Sequence, residues 1–284
     1  MLNTVLQFQI DRIKNNLSVF LCLVVTALLV LYVAFRHHAM PQGVAYMAVL
    51  WLCSFFIDLY AIKQPDTFEF EVRQPKRESQ YVILCVCLGL VFLVIRNADI
   101  VDWQHLRGIV KLALMPLVAF VFPIGLVIIM LLLKYKPRDL GFRLKGLILI
   151  IPILAMFITI IYFIAPQRPT FNRLIEESGG IMGALYAGFI MAGLSEEFFR
   201  VVGQTRFAAW TKSKGLGWFI TSCIWAFMHA PKWYSDGHDL TEALLGSIRI
   251  IPLGLMWGYL THRTKSILPS VIVHGLNVWG LQNF

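Results

Sequence analysis

Long apolar runs separated by short polar interruptions occupy the chain from residue 17 onward. A helix needs about 20 apolar residues to cross a bilayer. At that length the runs predict spans at about 17–35, 43–62, 81–95, 109–133, 147–165, 181–200 or beyond, 215–230, 241–260 and 266–283. The expected architecture is all-α, a polytopic transmembrane helical bundle of about eight to nine spans. The longest polar interruption, "KQPDTFEFEVRQPKRESQ" (63–80), reads as a linker, and the alternation in its "TFEFEV" (67–72) allows a short surface strand. A second, "KYKPRDLGFRLKG" (134–146), reads as a basic interfacial segment. The chain accordingly divides into an accessory N-terminal transmembrane helix pair with its polar linker (1–80) and a functional core (81–284).

Small residues mark two of the spans: Gly183, Ala184, Ala187, Gly188, Ala192 and Gly193 in the sixth, Gly254 and Gly258 in the eighth. Such spacing lets helix backbones approach where lipid gives no hydrophobic drive for association. Both spans are expected at the centre of the bundle.

Composition agrees with a membrane protein. Of the 284 residues 58% are hydrophobic and 14% charged, against about 25% charged in a soluble domain. The net charge of +9 would suggest nucleic acid in a soluble protein. Here the basic residues gather in alternate loops, as the positive-inside bias requires. With a cytoplasmic N-terminus the inside segments hold the clusters around Arg12, Arg73, Arg138, Lys212 and Arg263. The outside segments hold only Arg36, Arg96, Arg107, Arg168, Arg173 and Lys232. The basic clusters read as solvated loops, and no nucleic-acid partner is expected. This bias places the N-terminus inside, and the expected location is a multi-pass integral membrane protein of a bacterial inner membrane. The five cysteines fall in apolar spans, as packing residues rather than a disulfide framework.

Ionisable residues inside spans are costly and therefore functional candidates. Asp58 and Lys111 sit near span ends, where interfacial placement suffices, and Arg249 is a candidate counter-ion. Glu196, Glu197, Arg200, His229 and His274 converge instead. On a helix Arg200 lies four residues from Glu196 and three from Glu197, so either carboxylate can meet the guanidinium. If the sixth helix continues to Trp210, Glu196 and His229 both lie about 21 Å from the same surface on adjacent antiparallel helices. His274 would be shallower, at about 12 Å. A carboxylate removed from bulk water can take a proton from a water molecule. A histidine or asparagine, here Asn277, can donate to the oxyanion formed at an attacked carbonyl. Glu196, His229 and His274 could instead bind zinc, which would acidify a bound water. A proton or ion pathway uses the same residue types.

The order of these motifs, "EEFFR" (196–200), "WAFMH" (225–229) and "HGLN" (274–277), resembles the CPBP family of intramembrane endopeptidases (CAAX proteases and bacteriocin-processing enzymes). That family's patterns are E-E-x-x-x-R, F-x-x-x-H and H-x-x-x-N. The contexts "GLMWGYLTHRTKSILPSVIVHGLN" (254–277) and "RDLGFR" (138–143) are similar to it as well. This sequence departs from the patterns at three points. The Glu pair is one residue closer to Arg200, Trp225 stands in place of Phe, and Asn277 follows His274 by three residues, with Val278 at the expected position.

The resemblance implies hydrolysis of a peptide bond in a membrane-associated protein or peptide. Glu196 or Glu197 would activate water, Arg200 would orient or balance the carboxylates, and His229, His274 and Asn277 would stabilise the oxyanion or hold a metal. A glutamate mechanism without a cofactor is preferred, because no H-E-x-x-H element occurs. A proton-coupled transporter and a non-proteolytic scaffold or immunity relative are the alternatives. A transporter should carry an inverted repeat, and none is visible.

Overall fold

A computed structural model describes residues 2–63, 70–97, 124–164, 175–176 and 178–277. Side chains at 94–97 and 160–164 are excluded. The first half of the strand suggested at 67–72, the first part of the expected 109–133 span, Lys111 and Val278 lie outside the described residues, and residues 70–72 form no strand. Among those described, every regular element is helical.

A first helix, α1 (Leu2–Lys14), precedes the apolar runs, and the runs that follow return as α2 (Leu17–Arg36), α3 (Met40–Ala61), α4 (Pro75–Asn97), α5 (124–132) and α6 (Ile150–Ile164). A short helix α7 (Ile181–Leu185) passes into a π-helix (Tyr186–Leu194) and then α8 (Ser195–Thr211) without a break. The chain returns through α9 (Lys214–Phe227), α10 (Ala230–Ser235), α11 (Leu240–Thr264) and α12 (Leu268–Leu276). Three of these, Leu17–Arg36, Met40–Ala61 and Leu240–Thr264, are long and apolar enough to cross a membrane. The count of eight to nine spans rests on the apolar runs alone. α1 was not expected as an element, because Gln7, Gln9, Asp11 and Arg12 interrupt its apolar positions.

Side-chain caps place several starts. Asn16 accepts from the Val19 N–H at 3.3 Å, Ser213 from Leu216 and Asp239 from Glu242 at 2.8 Å, each satisfying a donor that a helix N-terminus leaves unpaired. α8 packs against α9, and α9 against α11; α3 lies on α11 and α6, and α4 on α8. The small residues bring backbones and side chains into close approach. Gly188 and Gly193 meet α12, while Gly254 packs on Ser222 and Trp225 of α9.

Several basic residues expected in solvated loops are buried. Arg206, Arg263 and Lys265 are at most 2% exposed. The two arginine charges can be buried there because they are paired. Arg206 Nε donates to Glu78 Oε2 at 3.0 Å, and Glu78 also accepts from Tyr135 and from the backbone of Arg73 and Gln74. Arg263 Nε donates to Asp58 Oδ1 at 2.9 Å, joined by Tyr259 at 2.5 Å and, on Oδ2, by Gln9 at 2.8 Å. Asp58 therefore ties α3 to α11. Lys212 and Lys214, by contrast, are exposed.

The "RDLGFR" segment docks on the turn between α11 and α12. A 3₁₀ turn (Pro137–Leu140) ends at Gly141, whose φ of +89° an L side chain rarely adopts. The Gly141 carbonyl accepts from the Ile267 N–H at 2.9 Å, and the Ser266 hydroxyl donates to the Arg143 carbonyl. The segment thereby fixes the position from which α12 starts.

Candidate active site

Glu196 and Glu197 occupy the first turn of α8, directly after the π-helix. Neighbours on a helix diverge by about 100°, and the two carboxylates have different surroundings. Glu197 is 1% exposed. Its Oε1 lies 3.2 Å from Arg200 Nη2 and 2.8 Å from His274 Nδ1. Glu196 is about 29% exposed, and its Oε2 accepts the indole N–H of Trp225.

Arg200 is buried one turn further along α8. Its guanidinium lies over the Trp225 ring, 4.3 Å from the centroid, and 5.3 Å from that of Trp257. Cation–π attraction strengthens when the cation is desolvated. Nη2 meets Glu197 at ion-pair distance but off the angle of a hydrogen bond, and Nη1 reaches the Gly254 carbonyl at 3.5 Å.

α8 runs to Thr211, as the depth argument required, but the returning helix ends at Phe227. His229 is thus the residue before α10 and not a mid-helix residue. Its Nδ1 lies 2.9 Å from the Trp225 carbonyl, and its Nε2 lies 3.9 Å from Glu196 Oε2. A carbonyl can only accept, so Nδ1 carries the proton and Nε2 faces the carboxylate.

His274 was expected to be shallower than Glu196. It reaches the same place, with Nε2 at 3.5 Å from Glu196 Oε2 and Nδ1 on Glu197. Two features account for this. The turn before α12 is sunk into the protein, with Lys265, Ser266 and Ile267 at most 2% exposed. α12 then crosses the π-helix at backbone contact: a Cβ on Gly193 would stand 2.5 Å from the Val271 carbonyl oxygen, and one on Gly275 2.7 Å from that of Gly188. Asn277 is the cap of α12, its N–H directed to the Val273 and His274 carbonyls, and is 8% exposed.

Two site residues escaped the sequence reading. Trp225 was noted only as a substitute for Phe, yet it donates to Glu196, carries Arg200 and lies edge-on to His229, Trp257 and His274. Trp257 stacks on the His274 imidazole at 4.0 Å and 15°. The four-residue spacing of Trp225 and His229 is the signal for the first. Nothing local marks Trp257.

Glu196, His229 and His274 are zinc ligands by type. Among the described residues, however, no three His, Cys, Asp or Glu side chains stand in a metal-holding arrangement. The Glu196 oxygen that both imidazoles face is already engaged by the indole N–H.

No curated protein and no solved structure matches the chain. Residues 178–280 match the family model described as type II CAAX prenyl endopeptidase Rce1-like. That segment contains every residue of the site described above. Over Ser178–Gly280 the chain is thus similar to the type II CAAX prenyl endopeptidases, in line with the resemblance to the CPBP family.

Proposed function

We propose that the protein is an intramembrane endopeptidase that hydrolyses a peptide bond in a membrane-anchored polypeptide, with Glu196 as the base that activates water. One observation carries this reading: Glu196 Oε2, His229 Nε2 and His274 Nε2 converge, with the buried Glu197–Arg200 pair behind them. Glu196 is the partly exposed carboxylate, and its Oε1 accepts nothing from the protein among the described residues. Glu197 already holds Arg200 and His274. Its role is to position them.

In the proposed step Glu196 takes a proton from water as the water oxygen attacks the scissile carbonyl carbon. The carbonyl oxygen becomes an oxyanion. In its protonated form His274 can donate Nε2–H to that oxyanion, while Glu197 on Nδ1 offsets the imidazolium charge. His229, backed by a neutral carbonyl, supplies the second imidazole, and Asn277 completes the end of α12. The proton on Glu196 then passes to the leaving nitrogen as the C–N bond breaks, giving one carboxylate and one amine.

The substrate class follows from the family match, a CAAX prenyl endopeptidase model: a lipid-anchored tail presented at the membrane. We read the protein as a multi-pass inner-membrane enzyme with a cytoplasmic N-terminus, from the distribution of basic residues.

The test is cleavage of a lipid-anchored CAAX-type peptide by the purified protein in liposomes containing ¹⁸O-labelled water. Cleavage should place one labelled oxygen in the new carboxylate and persist in strong chelator. Absence of cleavage across a panel of anchored peptides would overturn the assignment. Loss of activity in chelator, restored by zinc, would overturn the metal-free mechanism.

A further inference from the structure

The two tryptophans beside His274 meet its imidazole differently. Trp225 stands edge-on at 5.7 Å and 84°, whereas Trp257 stacks face to face at 4.0 Å and 15°. Their donors differ as well. The Trp225 indole N–H donates to Glu196. That of Trp257, a side chain only 1% exposed, meets no acceptor among the described residues. A buried donor without an acceptor costs stability. What Trp257 offers the site is therefore its ring face and not its N–H.

That face supplies what the hydrogen bond on His274 lacks. Glu197 Oε1 holds Nδ1 at 2.8 Å, which fixes one atom of the imidazole. The torsion that turns a histidine ring has a broad, shallow preference, so one hydrogen bond sets the ring plane, and with it Nε2, only loosely. A ring stacked on the face stops the swing. Trp257 is itself tied to α12. Its backbone carbonyl accepts the Ser270 hydroxyl at 3.0 Å, and that hydroxyl also pairs with the Thr261 hydroxyl at 2.8 Å. Both hydroxyls belong to buried residues. Ser270 lies one turn before His274 on α12, and Thr261 one turn after Trp257 on α11. Sliding α12 along α11 would break the hydroxyl bonds and the stack together.

We propose that Trp257 is a positioning residue for the hydrolytic step. Its face sets the plane of the His274 imidazole so that Nε2 is directed to where the oxyanion forms, and Ser270 keeps the two helices in register. The inference rests on the reading of His274 as the oxyanion donor, and it adds a residue that acts through His274 without touching the substrate.

The experiment measures kcat and KM for cleavage of a lipid-anchored CAAX-type peptide in liposomes. It compares the full-length wild type with Trp257→Leu, Trp257→Phe and Ser270→Ala, each rate taken per folded molecule from a detergent melt. Trp257→Leu removes the face and should lower kcat roughly five- to tenfold, with KM little changed. Trp257→Phe restores a face over the imidazole and should recover kcat to within about twofold of the wild type. Ser270→Ala leaves both rings and removes the bond to the Trp257 carbonyl, and kcat should fall about fivefold. A packing role alone would cost folded protein and leave kcat per folded molecule unchanged in Trp257→Leu, which would overturn the proposal. So would a Phe variant as impaired as the Leu variant, or losses confined to KM. If Trp257→Leu fails to fold, Ser270→Ala with wild-type kcat, or Trp257→Phe without recovery, overturns it. Absence of cleavage by the wild type would remove the proteolytic reading and the positioning role with it. Cleavage by the wild type and Trp257→Leu at equal kcat would remove the positioning role alone.

Discussion

At the scale of single residues, the site separates two adjacent carboxylates by their surroundings. Glu197 is enclosed by Arg200 and His274, whereas Glu196 faces two imidazoles and an indole N–H. The chemistry-bearing residue types were legible in the sequence, because Glu, Arg and His are costly inside apolar runs. The division of labour between Glu196 and Glu197 was not legible. It depends on which residues other helices bring up, and spacing to Arg200 alone allowed both. Trp225 was hidden for the same reason, since an aromatic residue in an apolar span looks like packing. Its N–H is the distinguishing feature. Trp225→Phe keeps a ring beneath Arg200 and removes only the donor to Glu196. A hydrogen bond to a charged group is worth about 1.5–3 kcal/mol, so kcat should fall by roughly ten- to hundredfold with KM little changed. Equal kcat in the two proteins would show that the indole N–H does not position the carboxylate.

At the scale of elements, hydropathy found most helices but not the way they meet. The runs at 17–35, 43–62 and 241–260 returned as Leu17–Arg36, Met40–Ala61 and Leu240–Thr264. The π-helix before Glu196 and the sunk turn before α12 were not visible, because neither is a matter of local propensity. π-Helical turns are frequent at functional sites, and this one supplies the glycine surface on which α12 lies. The turn holds because "RDLGFR" receives it, 120-odd residues earlier in the chain, through the Gly141–Ile267 and Arg143–Ser266 contacts. Close approach at Gly193 is thus a requirement for placing His274. A valine there would collide with the Val271 backbone. Overpacking of this kind costs about 1–3 kcal/mol, and it should lower the unfolding midpoint. Activity should fall by more than that loss of folded protein explains, because His274 moves with α12. A Gly193→Val variant with wild-type activity per folded molecule would disprove the link between the helix crossing and the site.

At the scale of the whole molecule, two buried ion pairs tie distant parts of the chain together. Asp58–Arg263 joins α3 to the end of α11, and Glu78–Arg206 joins α4 to α8. The positive-inside pattern treated these arginines as loop charge, since a sequence does not show which carboxylate will find them. Removing one partner of a buried pair leaves the other charge uncompensated, at about 3–5 kcal/mol. Asp58→Asn should therefore destabilise the protein by that order, measured as loss of folded protein in a detergent melt. Replacing both Asp58 and Arg263 with apolar residues of similar size should restore much of it. If Asp58→Asn melts like the wild type, the N-terminal helices are not held by this pair.

The central claim is that Glu196, and not Glu197, activates the water. It is tested most directly by measuring kcat for cleavage of a lipid-anchored peptide in liposomes by the wild type, Glu196→Gln and Glu197→Gln, each checked for folding by its melt. Loss of a general base costs about 10²- to 10⁴-fold. Glu196→Gln should lose at least that much activity while melting near the wild type, because its carboxylate is partly exposed and outside the buried ion pair. Glu197→Gln should lose stability first and keep measurable activity in whatever fraction remains folded. A Glu196→Gln enzyme that still turns over at the wild-type rate, beside a folded but inactive Glu197→Gln, would contradict the account.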